Sequence, residues 1–251
     1  MLFVSIFSCS KKIEIDENKV FKLNRYDNIS SLDPINARTQ ANNWACNLMY
    51  NSLVKIDNEL EIQPDIAKFW TISEDGKTYS FTLRNDVFFH KHEAFGKDST
   101  RIVTASDFEY SFNRLKDPKA GGSGGWIMNN INSYKAINDT LFEIKLKEAY
   151  PAFLGLISMK YASVVPKELF KNGNDEFLKH PIGTGPFQFK IWEDNVKMVF
   201  RKNPNYFEFD EKGQRLPYLE AVNLSFLPEK NSEFLELIKG NLLSLIHISE
   251  P

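Results

Sequence analysis

Polar and apolar residues alternate strictly over residues 78–84, placing Tyr79, Phe81 and Leu83 on one face. That period of two predicts a half-buried strand, entered through a turn at Glu74-Asp75-Gly76-Lys77. The same period over 141–146 and 20–24 predicts two more strands. Between 42 and 53 the spacing changes. Trp44, Ala45, Leu48, Met49 and Leu53 fall at helical intervals and predict one amphipathic helix. Thr104-Ala105-Ser106-Asp107 reads as the cap of a second helix over 108–115, ended at Asp117-Pro118. Asp33-Pro34 predicts a turn, and residues 63–67 predict a short turn or helix leading to Trp70. Strands interleaved with helices predict an α/β, mixed α+β class. No apolar run reaches the roughly 20 residues of a membrane span, and no internal repeat is visible.

Composition narrows the function classes. The 251 residues, 42% hydrophobic, suit one large domain or two modest lobes. A net charge of −2 argues against nucleic acid, because neutralising phosphates needs a basic excess. The 14% of aromatic residues suits a large core or a cleft lined by rings. Of the two cysteines, Cys46 lies in the helical stretch and is expected to be a buried free thiol. Cys9 ends a short apolar run, without a basic stretch before it, that matches the hydrophobic region of a secretory signal. Ile6-Phe7-Ser8-Cys9 resembles a bacterial lipobox, which implies a lipid on Cys9 and a membrane anchor without a spanning helix. Lys11 to Asn18 would then be a charged tether.

Candidate chemistry is sparse. Gly121-Gly122-Ser123-Gly124-Gly125 lacks the Gly-Lys-Ser/Thr ending of a phosphate-binding loop. It reads as a flexible surface loop, or as bare backbone that a ligand approaches closely with Trp126 as its wall. His90 and His92 stand two apart on a strand-like segment, but a metal needs three or four ligands and nothing else is spaced to help. His180, before Pro181, reads as a polar turn residue. The Gly121-x-Ser123-x-Gly125 spacing of the glycine segment matches the letters of a nucleophile elbow, but no strong strand runs directly into it, and the acidic residues are scattered.

Seven segments, in order, resemble the family 5 extracellular solute-binding proteins of ATP-driven importers. They are Ser31-Leu32-Asp33-Pro34, Leu48-Met49-Tyr50-Asn51-Ser52-Leu53-Val54, Gln63-Pro64-Asp65-Ile66-Ala67-Lys68-Phe69-Trp70 and Asp75-Gly76-Lys77-Thr78-Tyr79-Ser80-Phe81-Thr82-Leu83-Arg84. Thr104-Ala105-Ser106-Asp107-Phe108-Glu109-Tyr110-Ser111, His180-Pro181-Ile182-Gly183-Thr184-Gly185-Pro186-Phe187 and Arg201-Lys202-Asn203-Pro204-Asn205-Tyr206 complete them. Val87-Phe88-Phe89-His90 looks like the family's strand end, with Lys91-His92 and an insertion through Asp98 in place of its Asp-Gly.

The resemblance implies a periplasmic-binding-protein-like type II fold of two lobes, truncated before the second ligand-binding lobe. It implies a signal over residues 1–9, a discontinuous first lobe over 10–52 and 165–240, and an extra lobe typical of peptide binders over 53–164. Residues 241–251 depart from the family after Lys239-Gly240 and read as a non-native tail. The implied function is capture of short peptides by hinge closure and delivery to a membrane permease, without catalysis, cofactor or metal. Arg38, Thr39 and Gln40 would face the cleft, with Arg38 open to a ligand carboxylate, and Ser123, Gly124, Gly125 and Trp126 would form its other edge. The implied protein is a monomer, lipid-anchored on the periplasmic or extracellular face of the membrane. The alternatives are another solute, such as a metal chelate or an oligosaccharide, and a secreted hydrolase.

Overall fold

The computed structural model describes residues 16–120, 122–170 and 175–243. The anchor region with Cys9, as well as Gly121 and residues 244–251, lies outside them. Among the described residues the strands are β1 (Val20–Asn24), β2 (Val54–Ile56), β3 (Ile62–Pro64), β4 (Ala67–Ile72), β5 (Thr78–Leu83), β6 (Ile131–Asn138), β7 (Leu141–Leu146), β8 (Phe187–Glu193), β9 (Lys197–Lys202) and β10 (Ala221–Ser225). The α-helices are α1 (Gln40–Met49), α2 (Ala105–Lys116), α3 (Phe153–Ile157), α4 (Asp175–Lys179) and α5 (Lys230–Ile238).

One four-stranded sheet has the order β4-β5-β7-β6 and is antiparallel throughout. Its core face follows from the alternation. Tyr79, Phe81 and Leu83 of β5 are buried, as are Phe142, Ile144 and Leu146 of β7. Helix α2 covers this face, with the Phe112 and Phe142 rings edge to face at 5.4 Å. Each large side chain removed from water contributes about 1.5–3 kcal/mol before the entropy of ordering it is counted. Helix α2 starts where the sequence predicts a cap. The Thr104 amide donates to Asp107 Oδ2 at 2.9 Å, and the first helical residue is Ala105, three earlier than the spacing suggests.

The second four-stranded sheet has the order β1-β10-β9-β8. Here β1 runs parallel to β10, and the other pairs are antiparallel. A mixed sheet beside an antiparallel one, with helices between, is the mixed α+β architecture that the pattern predicts. Helix α1 ends at Met49 rather than at Leu53, because Tyr50 turns into extended backbone and its hydroxyl donates to Leu32 O at 2.8 Å. Residues 63–67 form no helix: Gln63 and Pro64 belong to β3, the chain bends at Asp65 and Ile66, and Ala67 opens β4. The Ile66 amide donates to Ser52 O and the Ala67 amide to Leu53 O, which holds the bend between β3 and β4 in place. The residues set apart from position 241 onward begin inside the fold, where Leu242 is buried and the Leu243 amide donates to Lys22 O.

Four of the seven sequence segments meet where the two sheets join. Asp65 accepts from Asn51 Nδ2 at 2.8 Å and from the Ser52 amide at 2.9 Å. Thr184 Oγ1 donates to Asn51 Oδ1 at 3.0 Å, and Asn203 Nδ2 donates to Gly185 O at 2.9 Å. Gly183 and Gly185 lie against the end of α1. A Cβ on Gly183 would stand 2.0 Å from Met49 O, and one on Gly185 2.4 Å from Met49 C, so only glycine fits.

Candidate ligand-facing wall

The Leu-Asp-Pro segment is anchored by charge. Arg114, on the buried side of α2, donates Nη1 to Asp33 Oδ1 at 2.8 Å and Nη2 to the other oxygen, Oδ2. Both side chains are buried, and the guanidinium lies over the Phe170 ring at 4.3 Å. Asp33 also accepts from the Ile35 amide at 3.3 Å and so caps the 3₁₀ turn Pro34–Asn36. Residues 35–40 leave this anchor in a fixed direction.

The glycine segment docks on that turn. The Ser123 amide donates to Ile35 O at 3.0 Å. A Cβ on Gly122 would stand 2.9 Å from Ile35 Cβ, and one on Gly124 2.4 Å from Tyr161 Cδ1. Gly122 and Gly124 pack closely within the chain, against Ile35 and Tyr161, which differs from the reading of the segment as a flexible surface loop. Gly125 opens a 3₁₀ stretch, Gly125–Asn130, in which Ile127 and Met128 are buried while Trp126 stays 47% exposed.

The remaining candidates have separate fates. Arg38 is exposed and has no ion-pair partner among the described residues. Thr39 is the N-cap of α1, its Oγ1 accepting from the Asn42 amide at 3.1 Å, so its hydroxyl serves the helix. Gln40, the first residue of α1, is exposed. Tyr161 and Arg114 join this region without any sequence signal, since both contacts are long-range.

Behind the wall lie Lys160, Asp65 and Cys46, of which Asp65 and Cys46 are buried and Lys160 is half-buried. Lys160 Nζ donates to Tyr50 O at 3.1 Å, and burial lowers its pKa while Asp65 opposes that shift. Burial raises the Asp65 carboxyl, with Lys160 and the Ser52 amide pulling the other way. Cys46 is a buried free thiol, pushed up to about 12 chiefly by desolvation.

His90 and His92 do not share a face as a metal pair. His90 is buried, its Nδ1 accepting from the Gly183 amide at 3.3 Å and its Nε2–H donating to Gly185 O at 3.0 Å. An amide on one nitrogen and a carbonyl on the other fix the neutral Nε2–H tautomer. Burial pulls the pKa down to about 4, although the bond to Gly185 favours the charged form. His92 instead accepts at Nδ1 from the Ala94 amide, and its ring lies 6.1 Å from that of the exposed His180. No group of three metal-ligating side chains occurs among the described residues.

Two sheets joined by a polar seam, with one exposed wall running off it, define one part of a lobed solute-binding fold. The chain belongs to the bacterial extracellular solute-binding proteins of family 5, whose family 5 Middle model matches residues 61–250. It is 31% identical over 209 residues to the dipeptide-binding protein of Escherichia coli strain K12, and 28% identical over 217 residues to that organism's nickel-binding periplasmic protein. Those matches cover 76% and 86% of this chain, and 38% of each relative. The ABC transporter-associated periplasmic binding protein DppA of Helicobacter pylori, solved with the peptide STSA, superposes with a TM-score of 0.80 at 28% identity. That likeness covers 91% of this chain and 47% of the solved one. The chain therefore spans about two fifths of the length of these curated relatives and just under half of the solved one.

Proposed function

We propose that the complete protein is the ligand-capturing component of an ATP-driven importer, taking up short peptides by hinge closure and passing them to a permease. The observation that carries this reading is the wall itself. A buried ion pair anchors the segment that carries Arg38, exposed and without an ion-pair partner among the described residues, and the glycine segment docked on it leads to the exposed Trp126. A peptide offers a carboxylate for such a cation and apolar side chains for such a ring, and its backbone can pair with protein backbone whatever its sequence. Gln40, Ser123, Gly124 and Gly125 complete the proposed contact surface, and Thr39 supports it by capping α1. The first lobe would comprise 10–52 and 165–240, with 53–164 as the extra lobe. The protein acts as a monomeric binder, not a catalyst, and a lipid on Cys9 holds it at the outer face of the cell membrane. Closure of the lobes is the signal that the permease reads.

A second reading, another solute bound at the same wall, is favoured by the 28% identity to a nickel-binding relative. A thermal-shift screen of the complete protein separates the two. Saturable stabilisation by di- and tripeptides, with the peptides recovered intact, supports peptide capture. Stabilisation by a nickel–histidine complex or an oligosaccharide alone replaces it with the second reading. Release of free amino acids would make the protein a hydrolase.

A further inference from the structure

We propose that a groove of about 560 Å³ between the segment at Lys91 and the β8–β9 ladder is a binding site for phosphate-bearing anions. Lys91, Lys190, Arg201 and Lys202 line it, and Glu220 is the acid among its lining residues. Lys202 lies 3.6 Å from Glu220, whereas Lys91, Lys190 and Arg201 have no ion-pair partner among the described residues. In a chain whose net charge is −2, three uncompensated cations around one groove are a local concentration of positive charge. Like charges held close raise each other's energy, and a multivalent anion relieves that repulsion.

The cations are also held in place. Lys91 follows His90, whose ring and amide are bonded to Gly183 and Gly185, so its backbone is fixed relative to the β8 entry. Lys190 sits at the bulge between Phe189 and Ile191, where the ladder with β9 changes register. Arg201 faces Gln188 in that ladder, and Gln188 Nε2 is itself engaged by Lys202 O at 3.1 Å. A half-buried guanidinium presents a planar fork suited to two phosphate oxygens, and lysines beside it add charge without demanding geometry. The site uses none of the residues of the wall at Arg38 and Trp126, and stands independently of the peptide reading.

The ligand chemistry is phosphate, either free in solution or displayed by lipid headgroups, and the experiment distinguishes the two. The 251-residue chain is titrated calorimetrically with inorganic pyrophosphate, and separately sedimented with vesicles of phosphatidylcholine with and without phosphatidylglycerol. The K190A/R201A double variant and the K91A variant run in parallel, with circular dichroism as the check that each is folded. Saturable pyrophosphate binding, weakened at least tenfold in the double variant and severalfold in K91A, identifies a site for the free anion. Sedimentation only with phosphatidylglycerol vesicles, lost in the same variants, identifies a headgroup site. No binding in either arm, or binding unchanged in both variants, overturns the proposal.

Discussion

Arg114 and Asp33, 81 positions apart in the chain, form a buried pair in which the guanidinium bonds both carboxylate oxygens. One partner belongs to α2, which covers the antiparallel sheet, and the other starts the segment that runs to Arg38. The orientation of the candidate wall thus depends on a charge supplied from the neighbouring unit. Removing one member of such a pair leaves the other charged and buried, at a cost of about 3–5 kcal/mol. D33A is therefore expected to lower the denaturation midpoint strongly without changing its slope, as read by urea titration. D33A/R114M is expected to lose less than D33A alone. Equal losses would show that the pair does not hold the segment.

A second prediction concerns the glycines of the seam. A methyl group at Gly183 or Gly185 enters the space of the Met49 peptide. G183A and G185A are each expected to cost at least the ~1–3 kcal/mol typical of overpacking, because backbone yields less easily than a side chain. G213A is a matched control for crowding, since nothing lies within 4 Å of a Cβ there. Its own cost comes from its φ of +77°, which a side chain disfavours. Thermal denaturation of the three variants checks the order.

His90 makes stability depend on pH. Its pKa falls from an ordinary 6.5 to about 4 in the fold, so the unfolded chain takes up the proton first as pH drops. Its contribution is present in full above pH 6.5 and is lost as pH falls towards 4. The difference corresponds to roughly 3 kcal/mol. H90Q is expected to be less stable at pH 7 but to show a flatter stability profile between pH 4 and 6.5. A profile as steep as that of the parent chain would remove His90 as the cause.

Cys46 should be inert while the chain is folded, because its thiol titrates near 12 and is buried. In a C9S background, a thiol reagent at pH 8 is expected to label it only as fast as the protein unfolds. Rapid labelling without denaturant would contradict the packing of α1.

The parts legible in the sequence were those whose signal is local. Tyr79, Phe81 and Leu83 announce β5 by alternation, and Thr104 with Asp107 announces α2 by its cap. Strand β6 was not legible. It is an edge strand with only Ile131 buried, so it carries no clean alternation. Residues 63–67 were half legible: Pro64 and Asp65 mark the change of direction between β3 and β4, but nothing local shows that Asp65 serves the buried seam with Asn51 and Ser52. The glycines at 122 and 124 could be seen but not explained, since Ile35 and Tyr161 are distant in the chain. His90 and His92 read as a pair because a strand period puts alternate residues on one face, and His90 is instead turned to Gly183 and Gly185.

Capture of a peptide at the wall carrying Arg38 is tested most directly by calorimetric titration of the complete protein with di- and tripeptides, beside its R38E variant. The expected result is one-site binding of intact peptide to the parent protein, weakened about tenfold or more in R38E, the roughly 1.5–3 kcal/mol of a charge-assisted hydrogen bond. Equal affinity in both proteins, or no peptide binding by the parent, would contradict it.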